Sequence, residues 1–218
     1  MTDIFVNKLM ESYAALGGTF DPVHSGHLQS AQELAQHMGY PHVYLVPCGD
    51  AYHKGGAQTP ARQRLAMLEL AIQQYPALQV DDRETHRKGA TYTIDTLAEL
   101  REELGEQSHI CWIMGTDTAA GVVHWKNWTR LFELANVIIL KRPTDDVPDI
   151  RSWPAKQMDD IEQFKQQPCG HVYICQLTQL DISSSEIRKR LKNNQMVADH
   201  VPSSVLHYID THGLYRET

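Results

Sequence analysis

The sequence predicts an α/β fold: a Rossmann-like, doubly wound and mostly parallel sheet with helices on both faces and a C-terminal helical tail. Three observations carry this. Short apolar, β-prone runs alternate with stretches of helical spacing. The first run closes on a glycine pair just ahead of a helical stretch. Beyond residue 182 the pattern is helical, with no further strand.

Strands are expected at Tyr13–Leu16, Val43–Val46, Leu78–Val80, Ile110–Met114, Val137–Leu140 and Val172–Cys175. Helical spacing joins Leu28, Ala31, Ala35 and Met38, then Leu65, Leu68, Ile72 and Tyr75. A third set is Ile94, Leu97, Leu100 and Leu104. Residues 182–192 and 202–211 read as two more helices within a tail that runs to 218. The polar stretch 144–168 is expected to leave the sheet and to be helical around 161–166. There is no internal repeat and no long linker, so one domain over 1–218 is expected. In such sheets ligands bind beyond the C-terminal strand ends, where the strand order reverses.

A chain of 218 residues can bury a substantial core, and 42% hydrophobic with 22% charged residues is a soluble globular composition. No apolar run approaches ~20 residues, so no membrane helix and no membrane partner are expected. The N-terminus lacks a basic segment leading into an apolar core, unlike a secretory signal. Four scattered cysteines without a CxxC pair read as reduced thiols, which points to the cytoplasm. A net charge of -7 argues against a nucleic-acid partner but not against a small phosphorylated one. Nothing in the sequence indicates an oligomer.

The stretch LGGTFDPVHSGHLQSAQELA, residues 16–35, is the most informative. Gly17 and Gly18 permit a sharp turn and the close approach of a ligand to the backbone. Asp21-Pro22 is a turn former that delays the helix start until near Ser25 and Gly26. The N–H groups that open that helix are unpaired and its dipole is positive there, which makes an anion site. His24 and His27, three apart, can project from the first turn toward one side and donate to phosphoryl oxygens. His-x-x-His alone supplies too few ligands for a metal centre. A second candidate is DISSSEIRKRL, residues 181–191. Ser183 with Glu186 reads as a capping box. Ser184, Ser185 and Arg188 on the same first turn also suit a phosphate.

GGTFDPVHSGH resembles the first signature of the nucleotidylyltransferase superfamily, in the form found in bacterial nicotinate-mononucleotide adenylyltransferases. Ile182, Ser183, Ser184, Ile187 and Arg188 resemble its second signature, ISSxxIR. The resemblance extends over nearly the whole chain from Ala14 onward. It implies an ATP site at Gly17, Gly18, Thr19, Phe20, His24, Gly26 and His27, continued by Gly115 and Asp117 in the adenosine half. Ile182, Ser183, Ser184 and Arg188 would hold the triphosphate. VPCGDAYHK matches a loop ending in His-Lys at His53 and Lys54, with Ala51 and Tyr52 in place of a proline pair.

The same resemblance puts Thr93 beside a pyridine carboxylate and Trp125 on the pyridine ring. Thr93 also reads as a helix N-cap, and Trp128 as core in register with Leu131 and Phe132. Lys126 would favour the carboxylate, and Arg142 would lie near the crevice. Lys189 and Arg190 read as solvated charges.

The implied reaction joins ATP and nicotinate mononucleotide to give the dinucleotide and pyrophosphate. Catalysis would come from positioning and charge stabilisation by His24, His27, Lys54 and Arg188, with Mg²⁺ travelling on ATP. A sister enzyme with another phosphorylated acceptor, a non-catalytic nucleotide sensor and an interaction module are the other readings.

Overall fold

A computed structural model describes residues 12–49, 57–141, 146–178, 180 and 182–216. The strands are β1 (Ser12–Gly18), β2 (Val43–Pro47), β3 (Leu78–Val80), β4 (His109–Gly115), β5 (Asn136–Lys141), β6 (Lys156–Gln157) and β7 (His171–Gln176). The helices are α1 (Ser25–Met38), α2 (Ala61–Ile72), α3 (Thr93–Leu104), α4 (Thr116–Ala120), α5 (Leu131–Leu134), α6 (Ile161–Lys165), α7 (Ser184–Lys192) and α8 (Ser203–Thr211).

The seven strands form one sheet in the order β3-β2-β1-β4-β5-β7-β6, and each neighbouring pair is parallel. From β1 the chain winds outward through β2 to β3, then returns to place β4 on the other side of β1. The order therefore reverses between β1 and β4, and the crevice opens beyond Gly18 and Gly115.

The strands are apolar on both faces because both faces are covered. Ala14, Leu16, Cys111 and Ile113 face a core that includes Leu28, Leu34, Met67, Leu68, Ile187 and Val205. Tyr13, Ala15, Ile110, Trp112 and Met114 face the other, with Leu97, Leu100, Leu131 and Phe132. The tail helices close the first of these cores: Ile187 and Leu191 of α7, and Val205 and Ile209 of α8, are all buried. Part of the 144–168 stretch returns to the sheet, as Lys156 and Gln157 pair in parallel with His171 and Val172 at its edge.

Candidate active site

Gly17 and Gly18 are both in strand conformation at the end of β1, so the turn itself is made further on. Internal packing alone already requires that both lack a side chain. A Cβ on Gly17 would lie 2.2 Å from the Trp112 indole, and one on Gly18 would lie 2.9 Å from the Phe20 ring. The turn is made by Phe20, a bulky residue in the left-handed region (φ 50°), followed by the cis Asp21-Pro22 bond. The left-handed region disfavours a side chain of this kind. Phe20 is held there by burial of its ring, which meets His27 edge-on at 5.0 Å. Its side chain therefore supports the site from beneath.

His24 is the N-cap of α1 and His27 its third residue, and together they form a capping box. The His27 N–H donates to Nδ1 of His24, and the His24 N–H donates to Nδ1 of His27, each at 3.4 Å. The rings stack with centroids 3.6 Å apart. Capping thus fixes both rings side by side at the start of α1. Because Nδ1 accepts in both rings, each neutral imidazole carries its proton on Nε2. Burial, and then the neighbouring His24, push the His27 pKa well below the usual histidine value. At neutral pH His27 is an uncharged N–H donor.

Two buried groups bind this turn to the rest of the protein. Asp21 accepts from the Gln58 N–H at 2.8 Å and from the Tyr215 hydroxyl at 2.5 Å. Arg64, fully buried on α2, donates to the carbonyls of Thr19 (2.7 Å), Cys48 (2.7 Å), Gly49 (2.6 Å) and Thr59 (3.0 Å). One guanidinium therefore fixes the ends of both β1 and β2. Neither role is legible in the sequence: an arginine in an amphipathic helix reads as a surface residue.

The second signature reaches the first. Ser183 is the N-cap of α7 and accepts from the Glu186 N–H at 3.2 Å. The reciprocal half of the expected box is missing, because the Glu186 carboxylate pairs with Arg190 at 3.1 Å. Ser184 donates its hydroxyl proton to the Pro22 carbonyl at 2.9 Å, so here it ties α7 to the turn. Arg188 donates to the Asp21 carbonyl at 2.6 Å and to Ser185 Oγ at 3.2 Å. Its buried Nε–H has no partner among the described residues. Gly26 completes the approach, its Cβ position lying 3.7 Å from the side chain of Ile182.

The other half of the crevice is a cavity of about 740 Å³. Thr19, Thr93, Asp117, Trp125 and Lys126, placed in the site from sequence, line it together. Tyr92, which precedes Thr93, is the N-cap of α3, so Thr93 is the first helical residue and not the cap. Gly115 is the N-cap of α4, which leaves the exposed Asp117 side chain to face the cavity. A Cβ on Gly115 would meet nothing within 4 Å, so open space begins at the end of β4. Lys126 Nζ stands 4.4 Å over the Tyr92 ring and 3.5 Å from Asp95. Trp128 packs edge-on against Phe132 and also forms part of the cavity wall. Sequence reasoning missed Tyr92 and this second role of Trp128, although both adjoin residues it had selected. His53, Lys54 and Arg142 lie outside the described residues, as do Ala51 and Tyr52. Among the described residues no three His, Cys, Asp or Glu side chains are grouped to hold a metal, and no helix is long and apolar enough to cross a membrane.

The cytidylyltransferase-like family matches residues 15–190, which include both signatures. A protein of Hahella chejuensis named "Probable nicotinate-nucleotide adenylyltransferase" is 39% identical over 208 residues, covering 92% of this chain and 94% of its own. This chain belongs to the nicotinate-nucleotide adenylyltransferase family. A member from Serratia proteamaculans, under the same name, is 38% identical over 209 residues, covering 94% and 95%. The family's fold is also seen in the solved Plasmodium falciparum nicotinic acid mononucleotide adenylyltransferase complexed with NaAD. That structure superposes with a TM-score of 0.72 at 22% identity, covering 94% of this chain and 97% of its own.

Proposed function

We propose that this protein transfers the adenylyl group of ATP to nicotinate mononucleotide, releasing pyrophosphate and forming nicotinate adenine dinucleotide, a step of NAD biosynthesis. The observation that carries the reading is the junction of the two signatures. Hydrogen bonds from Ser184 and Arg188 to the carbonyls of Pro22 and Asp21 bring the N-terminus of α7 to the turn before α1. Two helix N-termini, two Nε2–H donors and an arginine thus serve one place, which suits a triphosphate.

The mononucleotide phosphate attacks the α-phosphorus in line and pyrophosphate leaves. No covalent enzyme intermediate is required, so the protein's contribution is orientation and charge stabilisation. His24 and His27 donate through Nε2 to the phosphoryl oxygens. The phosphates' negative charge favours protonation of His27 as the reaction proceeds. Arg188 holds its guanidinium charge beside the turn, and Lys54 with His53 would add positive charge from the loop after β2. Mg²⁺ enters as part of the ATP substrate, held by phosphates and water. Trp125 offers a flat π face to the cationic pyridine ring. Thr93 and Lys126 address the carboxylate, Asp117 the adenosine half, and Arg142 the far side of the crevice. The setting is the cytoplasm, and one domain carries the whole site.

The test is pyrophosphate release with ATP, Mg²⁺ and either nicotinate or nicotinamide mononucleotide. Wild type should turn over the acid, and His27→Ala should lose about 10²–10³-fold in kcat. Activity with the amide alone would overturn the acceptor assignment, and silence with both would overturn the reaction.

A further inference from the structure

Asp21 and Glu84 are the two buried carboxylates among the described residues. Asp21 holds the turn before α1. Glu84 sits elsewhere, on a single 3₁₀ turn (Arg83–His86) that follows β3. A carboxylate is costly to bury unless hydrogen bonds and charge compensate it, so its partners show what it holds. The Thr96 hydroxyl donates to Glu84 Oε1 at 2.6 Å, and the Thr91 hydroxyl bonds to the same carboxylate. Arg87 donates to Thr96 Oγ1 at 2.7 Å and pairs through its other terminal nitrogen with Glu99. Because Arg87 can only donate, the Thr96 proton is committed to Glu84. Burial pushes the Glu84 carboxyl pKa up, and the two hydroxyls and the Arg87 charge oppose that shift.

The two threonines lie on either side of Thr93 in the chain, so both flanks of that residue are fastened to one carboxylate. Between the fastenings, Tyr92, Thr93 and Ile94 line the cavity of about 740 Å³. The same cluster abuts the end of β2. A Cβ on Gly49 would lie 2.6 Å from the Glu84 carbonyl oxygen and 2.9 Å from the Thr91 methyl group. The Gly49 carbonyl is in turn held by Arg64 at 2.6 Å. Glu84 thus stands between the acceptor wall and the main chain that Arg64 pins for the phosphate half.

We propose that Glu84 is a positioning residue for acceptor recognition, setting through Thr91 and Thr96 where Thr93 and the start of α3 stand in the cavity. This role rests on the reading of the cavity as the site of nicotinate mononucleotide. In-line attack needs the acceptor held at a fixed place relative to the phosphates, and a buried network joining the two walls supplies that constraint.

The experiment compares KM for nicotinate mononucleotide, KM for ATP and the urea midpoint in wild type, Glu84→Gln, Thr96→Val and Thr96→Ser. Glu84→Gln and Thr96→Val should each raise KM for the mononucleotide about tenfold, while KM for ATP stays within about twofold. Thr96→Ser keeps the hydroxyl and should return KM to within about threefold of wild type. The Asp95 and Thr96 amides donate to the Tyr92 carbonyl, and their hydrogen exchange without substrate should be at least about tenfold faster in Glu84→Gln. Equal rises in both KM values, or a lowered midpoint with both KM values unchanged, would make Glu84 a structural residue only and overturn the proposal. If Glu84→Gln does not fold, Arg87→Gln, at a half-buried position, carries the same test with a rise of about threefold expected. Exchange is read without substrate, so the two readings fail separately. Silence of wild type with the mononucleotide would overturn the reaction, and unchanged exchange in Glu84→Gln would overturn the positioning role.

Discussion

The two halves of the crevice are built differently. The phosphate half draws on residues far apart in the chain: the turn after β1, Cys48 and Gly49 after β2, Arg64 of α2, Ser184 and Arg188 of α7, and Tyr215 near the C-terminus. Hydrogen bonds of buried Arg64 and Asp21 and of half-buried Ser184 and Arg188 hold it together. The acceptor half comes mostly from one contiguous region, residues 91–131, and its walls are aromatic and half-exposed. The ion pair of Lys126 with Asp95 there is open to solvent. In-line transfer tolerates little error in the position of the phosphates, so that half is over-determined by hydrogen bonds. A flat ring needs only a surface to lie on, so the other half rests on shape.

This contrast gives graded expectations. Arg64→Met should be the most damaging change, destabilising the protein by about 3–5 kcal/mol, because four carbonyls lose their donor together. A urea unfolding midpoint at constant slope measures it. Arg64→Lys should recover part of the stability, and an unchanged midpoint for Arg64→Met would end the claim that this residue pins the phosphate half.

A second effect lies in the scaffold beneath. Burial lowers the pKa of His109 to about 4, while the Tyr40 hydroxyl at 2.8 Å and the Gln167 carbonyl at 2.7 Å hold the neutral ring. The folded pKa lies below the unfolded value of about 6.5, so the unfolded chain binds more protons between the two. Its contribution is therefore complete above about pH 6.5 and is lost as pH falls toward 4, by about 3 kcal/mol in all. Unfolding of His109→Asn across that range should show a flatter pH dependence. A slope as steep as wild type would place the acid sensitivity elsewhere, with His27 the next candidate.

In the acceptor half, Trp125→Ala should raise KM for nicotinate mononucleotide about tenfold with little change in kcat or stability. A loss confined to kcat would mean that this half also orients the reacting phosphate. The smallest change is expected from Lys126→Ala, a shift of about two- to threefold in acid-over-amide preference, because its charge is exposed and already shared with Asp95 and Tyr92. An unchanged preference would remove Lys126 from acceptor recognition.

Much of this was legible in the chain itself. The strand runs chosen from sequence all fall within observed strands, and the tail is helical as its spacing predicts. His24 and His27 were recognisable as a pair because three residues on a helix bring side chains together. What the sequence left out are roles that depend on a distant neighbour. The glycine pair gives no sign in sequence that Trp112 and Phe20 pack where its side chains would be. The bond from Ser184 to the Pro22 carbonyl, 162 residues away in sequence, likewise leaves no local mark.

Local patterns, then, were enough for the strand and helix sequence, the glycine-ended first strand and the two phosphate signatures, because periodicity and capping are set by neighbours within a few residues. Tertiary structure alone decided the contacts of Arg64, Asp21 and Tyr215. These are bonds and surfaces formed between segments that only the folded sheet brings together, and no spacing along the chain encodes them.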